Sequence, residues 1–309
     1  MNSFSIKAQN EESEGILFFC RANAGMKNIV PMNDQVIIRP EKSDFLVLAK
    51  PNGLISDTLE LKKEWGFVMS IIATSDSTFS VALGKHGLKV LISNNQFSIQ
   101  EEIPSHFLID EYETGLKIPV RDYVIGMTPN KNAPRKHSIY QFALIHKKDS
   151  QLLILNEPLP LESRYYQGMS NLADYYVTDN NLIINHSEAN SFIVHDFKNK
   201  KTTIKQFPAI EDKNKEAWYA IVDRSNSDIF FIRNRKKEIN EVYSYNLEAN
   251  ELQYIASTNQ HILGVNKSRA FYREMDEEGD ICFYFIDLMQ KKGSKSEILK
   301  LDEITVKGN

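Results

Sequence analysis

The sequence predicts an all-β chain of short antiparallel sheets stacked around an axis, and two observations carry that prediction. The first is a unit that recurs six times: an apolar strand ending in a basic or Gly position, a polar turn, a second apolar strand, another turn and a third strand. It reads QVIIRPEKSDFLVLAK from Gln35, FSVALGKHGLKVLIS from Phe79 and YQFALIHKKDSQLLILN from Tyr140. It returns as NLIINHSEANSFIVHDF from Asn181, DIFFIRNRKKEINEVYSYNL from Asp228 and AFYREMDEEGDICFYFIDL from Ala270. The second is the punctuation, because Asp, Asn and Ser cluster between the apolar runs, where their side chains bond the local backbone and favour tight turns. A unit repeated every 40 to 60 residues or so cannot bury both of its faces alone and must stack on its neighbours. The expected fold is a six-bladed β-propeller of four-stranded antiparallel blades, with residues 1–309 as one domain; seven blades, one degenerate, is the alternative.

Composition agrees with a packed β protein. Hydrophobic residues make up 42% and aromatic residues 10% of the 309, enough for a continuous core, and 13 Tyr with 17 Phe suit sheets packed face to face. A formal net charge of −4 gives no overall attraction to nucleic acid, which needs a basic face. No apolar run approaches the roughly 18 residues of a membrane span, and the start MNSFSIKAQNEESEG lacks the basic-then-apolar order of a secretory leader. The chain as given reads as soluble and cytoplasmic; an exported form that has lost its leader reads the same. Cys20 and Cys282 both fall in apolar strand runs, in the expected first and last blades, and read foremost as buried free thiols.

Each blade needs four strands, and the runs sort into them. The innermost are expected at GILFFCRA from Gly15, WGFVMSIIA from Trp65, RDYVIGM from Arg121, DYYVT from Asp174, WYAIV from Trp218 and HILGV from His261. First turns follow at TSDST, TDNN, DRSNSD and NKSR. Outer strands follow PNG at Pro51, NNQ at Asn94, KNKK at Lys198 and EANE at Glu248, with Asn-Gly the strongest hairpin signal because both turn positions need positive φ. LISDTLELKK and TTIKQFP alternate polar and apolar residues, as half-exposed edges do. Two long segments depart from the repeat, SHFLIDEYETGLKIPV from Ser105 and TPNKNAPRKH from Thr128, and loops of that length in a compact repeat carry function more often than structure. Ring closure is expected from the N-terminal segment at SFSIKAQ from Ser3, with KSEILKLDE from Lys295 competing for the same outer place in the sixth blade.

Aligning the units places a basic residue at the end of the second strand in five: Arg39, His146, His186, Arg233 and Arg273. The second blade has Gly84 there, followed by Lys85 and His86. On one rim, with Tyr166 of the segment SRYYQGMSNLADYY, these side chains would focus positive potential and suit an anionic small molecule, glycan or peptide at the channel mouth. Against that stand Asp44, Glu188, Glu238 and Asp276 in the same turns, which make structural ion pairs the heavier reading. Side-chain direction decides between them, since a slip of one residue exchanges the two faces of a strand.

Other chemistry is poorly supported. The seven His show no paired zinc-ligand spacing, so no metal and no cofactor are expected. No GxSxG elbow or α/β alternation supports a Ser hydrolase. Glycoside hydrolysis needs two carboxylates, and Asp110, Glu111, Glu113 and Asp174 are candidates only by elimination.

The phrases SFIVHDFKNKKTTIKQF and EVYSYNLEANELQYI resemble the six-bladed β-propeller proteins of unknown function common in gut-type bacteria. That resemblance implies a propeller, often exported as a lipoprotein, with no established activity; this chain differs in having no lipobox Cys near its start. The functional expectation is therefore a noncatalytic propeller recognising a ligand or protein partner, with no nucleic-acid partner. The alternatives are a glycan-acting hydrolase or lyase and a protein-interaction scaffold.

Overall fold

The computed structural model describes residues 6–7, 16–20, 29–32, 35–39, 43–50, 54–103, 118–130, 132–135, 137–160, 173–186, 189–208, 217–223, 228–235, 239–266, 268–275, 281–289 and 298–305. They form six antiparallel sheets, written here from the innermost strand outward. The first comprises Ile29–Met32, Gln35–Ile38, Phe45–Ala49 and Ile55–Glu60; the second, Val68–Ala73, Thr78–Leu83, Gly87–Ser93 and Gln96–Ile103. The third comprises Ile118–Val120, Tyr123–Pro129, Tyr140–His146 and Leu152–Ile154. The fourth runs Ala173–Val177, Asn181–His186, Ser191–Asp196, Lys201–Gln206 and then Asp302–Thr305. The fifth runs Ala217–Asp223, Asp228–Arg235, Ile239–Asn246, Glu251–Thr258 and then Ile298–Lys300. The sixth runs Ile262–Asn266, Arg269–Met275, Ile281–Asp287, Ile16–Cys20 and Ile6–Lys7.

Inner strands close a circuit. Val68–Ala73 packs on both Ile29–Met32 and Ala173–Val177, Ala173–Val177 on Ala217–Asp223, Ala217–Asp223 on Ile262–Asn266, and Ile262–Asn266 back on Ile29–Met32. The third sheet stands further out, its inner strand packing on Thr78–Leu83 and Gly87–Ser93. In such a radial, propeller-like arrangement the apolar faces of the inner strands meet the next sheet rather than water. One core cluster joins the third and fourth sheets through Phe142, Leu144, Tyr175 and Ile184. Another joins the first and second through Ile37, Leu48, Phe79 and Val81, and a third joins the fourth and fifth through Phe192, Phe207, Trp218 and Phe231. Phe207 and Trp218 stack at 4.6 Å and 3°.

Four expected placements are corrected. The run from Gly15 supplies the fourth strand of the sixth sheet, not an inner strand of the first, with Phe19 opposite Cys282 and Cys20 opposite Ile281. Both cysteines thus sit in one sheet on adjacent strands, not directly opposed. The N-terminal segment does join the sixth sheet, but the C-terminal segment competes for nothing there: it splits into Ile298–Lys300 on the fifth sheet and Asp302–Thr305 on the fourth. Tyr123–Pro129 is the second strand of its sheet, because Ile118–Val120 precedes it. Finally, the outer strand Lys201–Gln206 is not half-exposed, since Asp302–Thr305 covers its edge and Thr202 to Lys205 are buried. Turn chemistry follows the sequence at Asn94 and Asn95, whose φ of 52° and 61° supply the two positive values a tight hairpin needs. The Asn-Gly at Asn52 lies outside the described residues.

Candidate functional site

Because strands alternate in direction, the turns after first and third strands share one end of the molecule, here the odd-turn end, and the turns after second strands share the other, the even-turn end. Contacts between sheets agree with this: Gln35 Nε2 donates 2.6 Å to Asn95 Oδ1 of the next sheet, and Tyr123 stacks at 6.3 Å on Phe197, which opens a third turn.

The expected basic rim does not assemble as one ring. Arg39 follows the second strand of its sheet, and its Nη1 donates 3.2 Å to the carbonyl of Val68. Arg233 lies within a second strand, 9% exposed, with Nη1 3.8 Å from Glu241 Oε2 and the guanidinium 5.4 Å from the Trp218 ring. His146 closes a third strand and so lies at the odd-turn end, where Nδ1 sits 2.8 Å from Asp149 Oδ1 and the ring 5.4 Å from Tyr123. The cause is the inner strand Ile118–Val120, which shifts every later strand of that sheet outward by one place. The backbone of His186 ends a second strand opposite Ala173, and that of Arg273 lies within one opposite Phe283. Tyr166, Asp110, Glu111, Glu113, Glu188, Glu238 and Asp276 lie outside the described residues, and of Asp174 only the backbone pairing with Asn185 is described.

A recess opens at the odd-turn end instead, where the fourth, fifth and sixth sheets meet, with a volume of about 560 Å³. Its floor is apolar, from Ile229, Phe230, Ile255 and Leu288, and its walls carry carboxamides, hydroxyls and the carboxylates of Asp179 and Asp228. Among the described residues, no Lys or Arg lines it.

Local sequence fixes these walls. The turn Thr178–Asn181 is closed by the Thr178 N–H donating 2.9 Å to the Asn181 carbonyl and the Asn181 N–H donating 3.0 Å to Thr178 Oγ1. Asn246 Oδ1 accepts at 3.0 Å from the N–H groups of Glu248 and Ala249, and Asp287 Oδ1 accepts at 2.9 Å from the Met289 N–H. These side-chain turns hold the backbone before a ligand arrives. Tyr245 donates its hydroxyl 3.2 Å to Asn250 Oδ1, and burial, then the Glu303 carboxylate, push its pKa well above the usual phenol range. It is a fixed neutral wall. The sequence did carry a signal for this site: the Asp-Asn turn TDNN was visible, but it reads only as turn chemistry until three sheets bring such turns together.

Among the described residues no group of three or more His, Cys, Asp and Glu is placed to hold a metal ion, and no helix is long and apolar enough to cross a membrane.

No family model matches the chain, and no curated protein matches it. Solved structures do. The chain is similar to a member of the DUF4221 family from Bacteroides vulgatus, with a TM-score of 0.54 and 10% identity over 97% of each chain. It is similar to a putative exported protein from Bacteroides fragilis, with a TM-score of 0.48 and 11% identity over 92% of this chain and 94% of that one. It also matches the β-propeller domain of Cps50 (Swd1) from Myceliophthora thermophila, with a TM-score of 0.42 and 9% identity over 89% of this chain and all of the other. At these identities the likeness concerns fold alone, and in fold this chain is similar to bacterial β-propeller proteins.

Proposed function

We propose that the chain is a single-domain, six-bladed recognition propeller whose noncatalytic site, the recess between the fourth, fifth and sixth sheets, takes a neutral glycan. The lining carries this reading. Sugars present an apolar ring face and a rim of hydroxyl groups that both donate and accept, and the recess offers an apolar floor beneath carboxamide and carboxylate walls. Among the described lining residues the charged groups are the carboxylates of Asp179 and Asp228, which weighs the reading toward a neutral ligand rather than the expected anionic one. Pre-formed turns lower the entropy lost on binding.

Titration calorimetry with neutral oligosaccharides, and with hexuronic acids as the anionic comparison, tests the reading. Saturable binding of a neutral oligosaccharide, weakened in Asp179→Ala and Gln253→Ala, is expected. Preference for the uronic acids, or neutral-sugar binding untouched by both substitutions, contradicts it.

A further inference from the structure

The acids in the turns at the odd-turn end divide into two kinds. Asp149 Oδ1 accepts at 3.1 Å from the Gln151 N–H and lies 2.8 Å from His146 Nδ1. Asp196 Oδ1 accepts at 2.8 and 3.0 Å from the N–H groups of Lys198 and Asn199, and Asp287 Oδ1 accepts from the Met289 N–H. Each of these carboxylates is used to hold its own turn. The turn at 178–181 is built differently, because its Asn181 N–H goes to Thr178 Oγ1 and its Asn180 carbonyl accepts at 2.9 Å from the Phe197 N–H. The two central side chains, Asp179 and Asn180, are exposed, line the recess, and bond to no other described group.

An unused carboxylate beside an apolar floor selects for charge. Ile229, Phe230, Ile255 and Leu288 replace water beneath it, so a cation brought into the recess is screened less than on open surface. Asp228, exposed at the start of the second strand of the fifth sheet, adds a second carboxylate to the lining. An ammonium carries three donors and no acceptor, which matches walls rich in carboxylate and carboxamide oxygens. A sugar hydroxyl at Asp179 gains a hydrogen bond. An ammonium in the same place gains the hydrogen bond and an opposite charge.

We infer that the ligand of the recess is an amino sugar with a free primary amine, held as its ammonium by Asp179, and that neutral sugars of the same ring shape bind there more weakly. This rests on the recess being a glycan site and names the substituent that the site selects.

The test is titration calorimetry at mildly acidic pH, where the amine is protonated, with a β-1,4-linked glucosamine trisaccharide, its N-acetylated form and cellotriose. The three share one backbone and differ at C2 in carrying an ammonium, an acetamide or a hydroxyl. The glucosamine form is expected to bind about fivefold more tightly than the other two, to compete with cellotriose, and to lose its advantage as salt is raised. Asp179→Asn, which keeps the shape and removes the charge, is expected to abolish most of that advantage. Equal or weaker binding of the glucosamine form, binding that does not compete with cellotriose, or an advantage unchanged in Asp179→Asn overturns the inference. In those cases cellotriose binding weakened by Gln253→Ala leaves the glycan reading of the recess standing. No binding of any of the three overturns the inference as well, and saturable binding of another neutral oligosaccharide then still upholds the glycan reading.

Discussion

Asp57 Oδ2, on the outer strand of the first sheet, accepts a 2.7 Å hydrogen bond from the backbone N–H of Phe97 on the outer strand of the second. One carboxylate thereby satisfies an edge amide of the neighbouring sheet, while its Oδ1 accepts at 2.8 Å from the N–H of Thr58. An exposed edge with open amides invites pairing with another chain, and a charge placed on it discourages that. The expected effect of Asp57→Ala is a loss of about 1–2 kcal/mol in urea unfolding, from removing a charge-assisted bond and leaving the Phe97 N–H open. Light scattering at high concentration is expected to rise in the same variant.

The third sheet, set outward of the inner ring, is tied to the second by Ser80, whose buried hydroxyl donates 2.6 Å to the Pro119 carbonyl. Ser80→Ala leaves that carbonyl unpaired, and a destabilisation of about 1–2 kcal/mol is expected in denaturant titration. Ser80→Thr, which keeps the hydroxyl, is expected to recover part of it.

Pro119 also explains what was hard to read. Two inner strands escaped sequence analysis, Ile29–Met32 and Ile118–Val120, and each contains a proline, which ordinarily demotes a run to an edge or a loop. In a radial stack the innermost strand is an edge, paired on one side only, so the missing N–H of Pro31 or Pro119 interrupts no second ladder. The inner strands Ala217–Asp223 and Ile262–Asn266 were legible because their apolar runs precede Asp- and Asn-rich turns. The basic series was legible only as a pattern. His146 has the sequence context of the other members, yet the extra inner strand places it one strand further out and at the opposite end. The recess was not legible, since it arises where turns more than 100 positions apart in sequence meet, as Asp179 and Met289 do.

His195 is buried, with Nδ1 2.8 Å from Thr202 Oγ1, and desolvation lowers its pKa from 6.5 to about 4, against a smaller opposing pull from Asp196. The unfolded chain therefore takes up a proton as pH falls below 6.5 while the native state stays neutral until about 4. Within that window the unfolded state binds more protons, so stability falls with falling pH, by about 3 kcal/mol in all. Above it His195 contributes no pH dependence. Unfolding free energies of His195→Leu between pH 7 and pH 4 are expected to show a flatter slope than the wild type.

The C-terminal strand Asp302–Thr305 is anchored by Glu303, which pairs with the buried Lys205 and lies 3.9 Å from Lys201 Nζ. The Lys205 hydrogen bond holds the Glu303 carboxyl below its ordinary range, so this stabilisation is present above the ordinary carboxylate pKa and is lost as pH falls through the lowered one. Glu303→Gln leaves an unpaired buried ammonium, with an expected cost of about 1–3 kcal/mol after discounting for the half-exposed carboxylate. Lys201→Ala, at an exposed position, is expected to cost under about 1 kcal/mol. Amide exchange in residues 302–305 is the sensitive readout.

The recess as the site of recognition is tested most directly by mapping backbone amide shifts while a neutral oligosaccharide is titrated. The account predicts saturable changes concentrated in the turns Thr178–Asn181 and Asn246–Leu247 and at Ser268 and Met289. Saturable changes confined to the even-turn end, or no saturable change with any neutral oligosaccharide, would contradict it.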